Sequence, residues 1–276
     1  AVLLGMGGSS LAADVMRDAF GPRTDGLTLS VLDSTHPGAV NAVGESHPTA
    51  STVFIVASKS GTTTEPRCFQ QRYWHDANAS VGATRAGDAF IGITDPGSQL
   101  GEIASRDGYR TVFVNPPDIG GRYSALSFFG LVPAALAGYD IGEVLAGAEA
   151  AMARCRVSDA EEPLDAPSRY GPDRMIVAID TRHGREDGTL DGPGGLDARL
   201  DAVAAAGTPV LRLAARDATD VGWLFFLWEF ATTVAAALLG IEPFDQPDVE
   251  RAKIETRRVL AQASASRSLS LPEDPD

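Results

Sequence analysis

Four short stretches of this chain carry residue types that could do chemistry. The stretch SKSGTTTEP, residues 58–66, follows the apolar run TVFIVA. Ser58, Ser60, Thr62 and Thr63 could each donate a hydrogen bond to a phosphate oxygen. Gly61 permits a tight turn, and the amides of a helix starting near Glu65 would face the same point. The spacing is not that of a P-loop, G-x-x-x-x-G-K-[ST]. A cup of hydroxyls suits a sugar monophosphate, and the plainer alternative is a polar loop rich in Ser and Thr. GMGGSS, residues 5–10, lies between the strand-like AVLL and a helical stretch, where glycines let backbone approach a ligand. Ser10 stands where a dinucleotide fingerprint needs its third glycine, so an ordinary glycine-rich turn is the competing reading. In NPPDIGGRYSALS, residues 115–127, Arg122 precedes a helix expected to be capped by Ser124. It could face anionic oxygens or simply pair with Asp118. In GIEPFDQPDVERAK, residues 240–253, Gln246 and Lys253 are two helical turns apart and could share a face, as could residues of any solvated helix.

Composition narrows the ligand class. A net charge of −14 over 276 residues argues against nucleic acid or an anionic membrane as partner. An anionic ligand must then meet a local positive site. Only two of the 23 basic residues are lysines, Lys59 and Lys253, and both fall inside the stretches above. A compact ammonium retained in an arginine-rich chain points to a specific job. Two cysteines without metal or redox spacing suit a reducing, cytoplasmic compartment. His36, His47, His75 and His183 are scattered, with no carboxylate or cysteine at ligand spacing, so neither metal nor cofactor is expected. No nucleophile elbow or triad is visible. Residues 223–240 are apolar enough for a membrane span, but Glu229 and two threonines favour a buried core helix.

The elements that must position these residues alternate. Strands are predicted at 1–4, 27–32, 52–57, 89–94 and 111–115, with helices at 9–20, 65–78 and 98–106. A helical pair follows at 124–137 and 141–154. Such alternation predicts an α/β fold, a three-layer doubly wound parallel sheet with helices on both faces. Two loops at the carboxyl ends of strands in one sheet strengthen the ligand reading, because ligands of open α/β sheets bind there. A second, incomplete α/β pattern starts at residue 174. It runs through a solvated acidic loop at 181–195, a helix, the strand PVLRLAA and the apolar helix from Asp220. The expected partition is a first domain at 1–156, a linker at 157–173, a second domain at 174–264 and a tail at 265–276. The chain opens inside a strand without an initiator methionine, which suggests a piece of a longer polypeptide.

GMGGSS, SKSGTT, GGRYS and FDQPDVERAK, taken together and in this order, resemble the phosphoglucose isomerase family of the sugar-isomerase (SIS) superfamily. The wording of DIGGRYSALSFFGLVPAAL and LGIEPFDQPDVERAK is most similar to the isomerase part of bifunctional transaldolase–phosphoglucose isomerases. The likeness covers nearly the whole chain and implies an upstream transaldolase domain. It implies that Gly8 and Ser9 form the first sugar-phosphate loop, and that Ser58, Lys59, Ser60 and Thr63 form the phosphate cup. Gly121 and Arg122 match the arginine turn that steadies an enediolate, Gln246 a phosphate-side residue, and Lys253 a lysine near the ring oxygen. The implied reaction is metal-independent interconversion of glucose 6-phosphate and fructose 6-phosphate through a cis-enediolate. A non-catalytic sugar-phosphate-binding module and a phosphoglucose/phosphomannose isomerase are the alternatives, and a homo-oligomer stays open. One departure stands out. The family's base is a glutamate in an E-S-x-G-K-like stretch, and none is present. A block of family sequence is expected to be absent at about Arg156/Val157, carried elsewhere rather than lost, since removing a core strand would expose apolar surface.

Overall fold

In the computed structural model the apolar runs become five parallel strands, β1 (Val2–Leu4), β2 (Ser30–Leu32), β3 (Phe54–Ala57), β4 (Phe90–Thr94) and β5 (Thr111–Val114), in the order β2-β1-β3-β4-β5. The structure describes residues 1–156, 176–180, 196–205, 209–215, 218–244 and 247–266. The linker 157–173, the loop 181–195, Gln246 and nearly all of the tail lie outside the described residues, as does Val157 at the expected junction.

Strand pleating explains the layers, because successive side chains point to opposite faces. Val2, Leu4, Phe54, Val56 and Phe90 face one side, where α3 (Thr64–Val81) and α4 (Gln99–Arg106) supply Phe69, Tyr73, Ala77 and Leu100. Leu3, Ile55, Ala57, Ile91 and Ile93 face the other, against α1 (Leu11–Phe20), α5 (Phe128–Leu136) and α6 (Ile141–Arg156). The central strands are therefore apolar throughout, as a parallel sheet covered on both faces requires. Each fully buried Leu, Ile, Val or Phe contributes about 1.5–3 kcal/mol. The fold is α/β with a doubly wound parallel sheet.

One helix goes beyond the sequence expectation. α2 (Pro37–Ser46) starts with proline, and His36 caps it by accepting the Gly38 N–H at Nδ1 (3.1 Å). A second correction concerns Ser124. It does not cap α5, which begins four residues later with Ser127 accepting the Phe129 N–H.

Beyond α6, β6 (Ile176–Asp180) and β7 (Val210–Ala214) form a parallel two-stranded pair, with α7 (Leu196–Ala205) between them in sequence. α8 (Val221–Leu239) and α9 (Pro247–Ser266) follow. The chain divides into two compact units, Ala1–Ala231 and Thr232–Asp276. The sequence expectation for α8 is a core helix, yet only 17 % of its apolar window is buried, and Trp228 and Phe230 are exposed. A helix apolar all round presents more surface than one packed face can cover.

Candidate functional site

The strand order 2-1-3-4-5 has its topological switch point between β1 and β3, and open α/β sheets bind ligands at the carboxyl ends of the strands at such a point. The two loops that leave the sheet there are GMGGSS after β1 and SKSGTT after β3. Chain topology thus places both hydroxyl-bearing loops at one edge of one sheet.

The first loop makes a 3-10 turn, Gly7–Ser9, before α1. Gly7 takes a positive φ of 55°. Gly8 lies against the turn Gly121–Tyr123, and a Cβ built on Gly8 would fall 2.1 Å from the Gly121 carbonyl oxygen. Only glycine permits that approach. Ser124 reinforces it, since its Oγ lies 3.0 Å from the Gly8 carbonyl oxygen and 2.7 Å from that of Gly121 and can donate to either. Gly8 and Ser9 are half-buried there, while Arg122 is exposed on the apposed turn. Residues more than a hundred positions apart are in this way held together by backbone contact.

The second loop is held from below. The Ser58 N–H donates to the Ile93 carbonyl (3.0 Å), and Thr94 Oγ1 lies 2.7 Å from the Ser58 carbonyl oxygen and 2.6 Å from Ser98 Oγ. Ser98 in turn caps α4 by accepting the Gly101 N–H. Gly61 has φ 69°, and a Cβ there would lie 2.3 Å from the Leu100 amide nitrogen, so the loop rests on the start of α4. Ser60 and Thr62 are exposed, with hydroxyls 2.8 Å apart. Thr63 occupies the N-cap position of α3 without bonding its hydroxyl into the helix. Ser58 is buried, and its Oγ has no hydrogen-bond partner among the described residues.

Lys59 spans the neighbouring loops. Its ammonium donates to Asp95 Oδ2 (2.5 Å) and to the Pro117 carbonyl (2.8 Å). It therefore ties the loop after β3 to those after β4 and β5. Burial pushes the Asp95 carboxyl above its ordinary range, and the Lys59 ammonium opposes that shift only in part. Asn115, at the end of β5, is buried and donates its N–H to the Thr94 carbonyl (2.8 Å).

Glu229 is the residue that sequence reading passed over. It lies half-buried on α8, within the first unit. Burial pushes its carboxyl up to about 7, against the opposing effect of the Ala125 backbone N–H. The signal was a lone carboxylate within an otherwise apolar helix, which is costly unless partnered. Lys253 is half-buried on α9, in the second unit. Among the described residues no three His, Cys, Asp or Glu side chains converge as a metal-ion set would require.

The arrangement juxtaposes a glycine-rich backbone cradle, a hydroxyl-rich loop at a helix N-terminus and an arginine-bearing turn. These are means of gripping an anion and of placing a cation near it.

Comparison with known proteins agrees in fold and sequence. The phosphoglucose isomerase family profile matches residues 1–165. A glucose-6-phosphate isomerase of Synechococcus sp. (strain JA-3-3Ab) is 36 % identical over 151 residues, covering 52 % of this chain and 27 % of that protein. One from Citrifermentans bemidjiense is 35 % identical over 161 residues, covering 56 % and 29 %. The matched segments thus span under a third of these relatives' length. Among solved structures, a hypothetical protein from Thermus thermophilus superposes with a TM-score of 0.78 at 23 % identity, covering 94 % of this chain and 83 % of that one. A glucose-6-phosphate isomerase from Chlamydia trachomatis gives 0.71 at 18 % identity, covering 95 % and 70 %. The profile match extends over more than half of the sequence, from the first strand past α6, and the chain belongs to the phosphoglucose isomerase family.

Proposed function

We propose that this chain supplies the sugar-phosphate-binding part of a glucose-6-phosphate isomerase, an aldose–ketose isomerase acting without metal or cofactor in the cytoplasm. The observation that carries this reading is the backbone junction of Gly8 with Gly121 at the switch point, beside the hydroxyl-rich loop on β3. The phosphate would lie over Ser60 and Thr63, facing the N-terminal amides of α3, where the helix dipole favours an anion. Anchoring the inert end places the carbon end toward Arg122, whose guanidinium would stabilise the enediolate oxygen as charge develops. Lys59 serves by fixing the loop, since its ammonium is engaged with Asp95 and Pro117. The shuttle between C2 and C1 needs a carboxylate with a tuned pKa. The family's glutamate stretch is absent from these 276 residues, so no residue is assigned that step.

That absence favours a second reading, a module that binds sugar phosphate without converting it. Isothermal titration with fructose 6-phosphate, beside a coupled assay for glucose 6-phosphate formation, separates the two. Binding with turnover supports the isomerase, binding alone supports the module, and no binding refutes both. An upstream transaldolase domain in the same polypeptide belongs to the proposal. Mass analysis of the polypeptide in its native cells tests it, and a product no larger than this chain would refute it.

A further inference from the structure

We infer that Lys59, Asp95 and Asn115 clamp the two-proline segment that leads to Arg122, so that Lys59 acts on the carbon end of the ligand through Arg122 and not on the phosphate. Three adjacent parallel strands supply one residue each. The backbone ladder runs on past their ends, with the Asp95 N–H donating to the Lys59 carbonyl (3.0 Å) and the Asn115 N–H to the Thr94 carbonyl (2.8 Å). Positions 59, 95 and 115 continue the alternation of Ala57, Ile93 and Phe113, which face the α5 side of the sheet.

Asn115 opens the segment NPPDIGG, residues 115–121. Pro116 and Pro117 have no N–H, so their carbonyls are the only backbone handles there. Both carbonyls are taken. Asn115, itself buried, donates from Nδ2 to the Pro116 carbonyl (3.1 Å), which also receives the Ile119 N–H (3.3 Å). The Lys59 ammonium donates to the Pro117 carbonyl (2.8 Å), and Asp95 Oδ2 receives a second N–H of the same ammonium (2.5 Å). A charged donor makes the stronger kind of hydrogen bond, so this is the firmer of the two holds. At the far end Ser124 Oγ reaches the Gly8 and Gly121 carbonyls. Arg122 therefore stands on a stretch fastened on both sides, at Pro117 and at Ser124.

The placing of the ammonium argues against phosphate as its partner. Lysine has three N–H donors, and two are committed within the fold. A carboxylate at 2.5 Å offsets the positive charge where an anion would need it. Asp95 and Asn115 thus become positioning residues, acting on Arg122 through the Pro116–Pro117 carbonyls.

The inference rests on the sugar-phosphate reading for its ligand arm only. The test records the Pro117 carbonyl carbon by NMR in the ligand-free chain, for the wild type, Lys59→Met and Asp95→Ala, and then titrates each with fructose 6-phosphate and with inorganic phosphate. The Pro117 resonance should move in both variants, further in Lys59→Met. Both should lose about three- to tenfold in fructose 6-phosphate affinity while inorganic phosphate affinity changes by less than about twofold. Lys59→Met should add little to the loss caused by Arg122→Ala, because both act through one guanidinium. Direct contact with phosphate gives another pattern. Lys59→Met would then weaken both ligands alike, and Asp95→Ala, by freeing the ammonium, would tighten both. That pattern, or an unmoved Pro117 resonance, would overturn the inference. If the wild type binds neither ligand, the sugar-phosphate reading falls, and the Pro117 resonance alone decides whether the clamp exists.

Discussion

Replacing Gly8 by alanine tests the junction on which the site depends. The added Cβ would lie 2.1 Å from the Gly121 carbonyl oxygen and 2.4 Å from its carbonyl carbon, both backbone atoms. A carbon and a carbonyl oxygen normally stand at least about 3.3 Å apart. The two loops must therefore separate by about 1 Å, and no side-chain rotation relieves the clash. Overpacking of this kind costs about 1–3 kcal/mol. Stretching the Ser124 bond to Gly8 adds about 0.5–1.5 kcal/mol. The loss of folding stability should be about 1.5–4.5 kcal/mol, read by urea denaturation. A displacement of that size moves the Arg122 turn away from the first loop, and misplacement by about 1 Å can reduce turnover about 100-fold. Gly7→Ala is the control. Its Cβ would meet nothing within 4 Å, but its φ of 55° is strained for alanine by about 1–2 kcal/mol. It should lose stability while keeping sugar-phosphate affinity. Wild-type stability and affinity in Gly8→Ala would refute the close backbone approach.

Other consequences are open to measurement. Ser60→Ala with Thr63→Ala should weaken fructose 6-phosphate binding by about 1–3 kcal/mol in isothermal titration, since each removes a charge-assisted donor; unchanged affinity would rule out the cup. Lys59→Met leaves the part-buried Asp95 without its ammonium, so Asp95 should titrate at still higher pH by carbon-13 NMR, and an unmoved titration would show the ion pair to be idle. The folded Glu229 carboxyl binds its proton up to about pH 7, whereas its ordinary value is 4.5. The folded state then holds more protons than the unfolded one between these values, so the Glu229 contribution to stability is full below about pH 4.5 and is lost as pH rises through about 7. Glu229→Gln should flatten that slope in denaturation curves taken from about pH 5 to about pH 8, and an identical slope would deny the shift.

Much of the fold could be read in the sequence because the sheet is buried on both faces. Runs such as FIVA and FIGIT have no competing helical interpretation at that length between turn signals. α2 escaped because PGAVNAVGES has weak amphipathic character and buries no residue fully, so its apolar pattern carries little information. Serine at position 124 resembles a cap, which sets the expected start of α5 too early. In the fold that hydroxyl instead reaches Gly8, 116 residues earlier in sequence, and local pattern cannot report so distant a contact. Lys59 stands out for its rarity, and its partner Asp95, 36 positions on, emerges only once β3 and β4 pair. The glycines at 8 and 61 are recognisable as places of close approach, though not what they approach. Glu229 is visible only as an oddity in an apolar run, because the burial that raises its carboxyl depends on how α8 packs.

The central claim is that the loops after β1 and β3 and the Arg122 turn close on one sugar phosphate. Backbone amide NMR of the chain titrated with fructose 6-phosphate tests it most directly. The account predicts saturable shifts, with a common dissociation constant, at Gly8, Ser9, Ser60 to Thr64 and Gly121 to Tyr123. Shifts confined to one of these loops, or falling elsewhere on the chain, would contradict it.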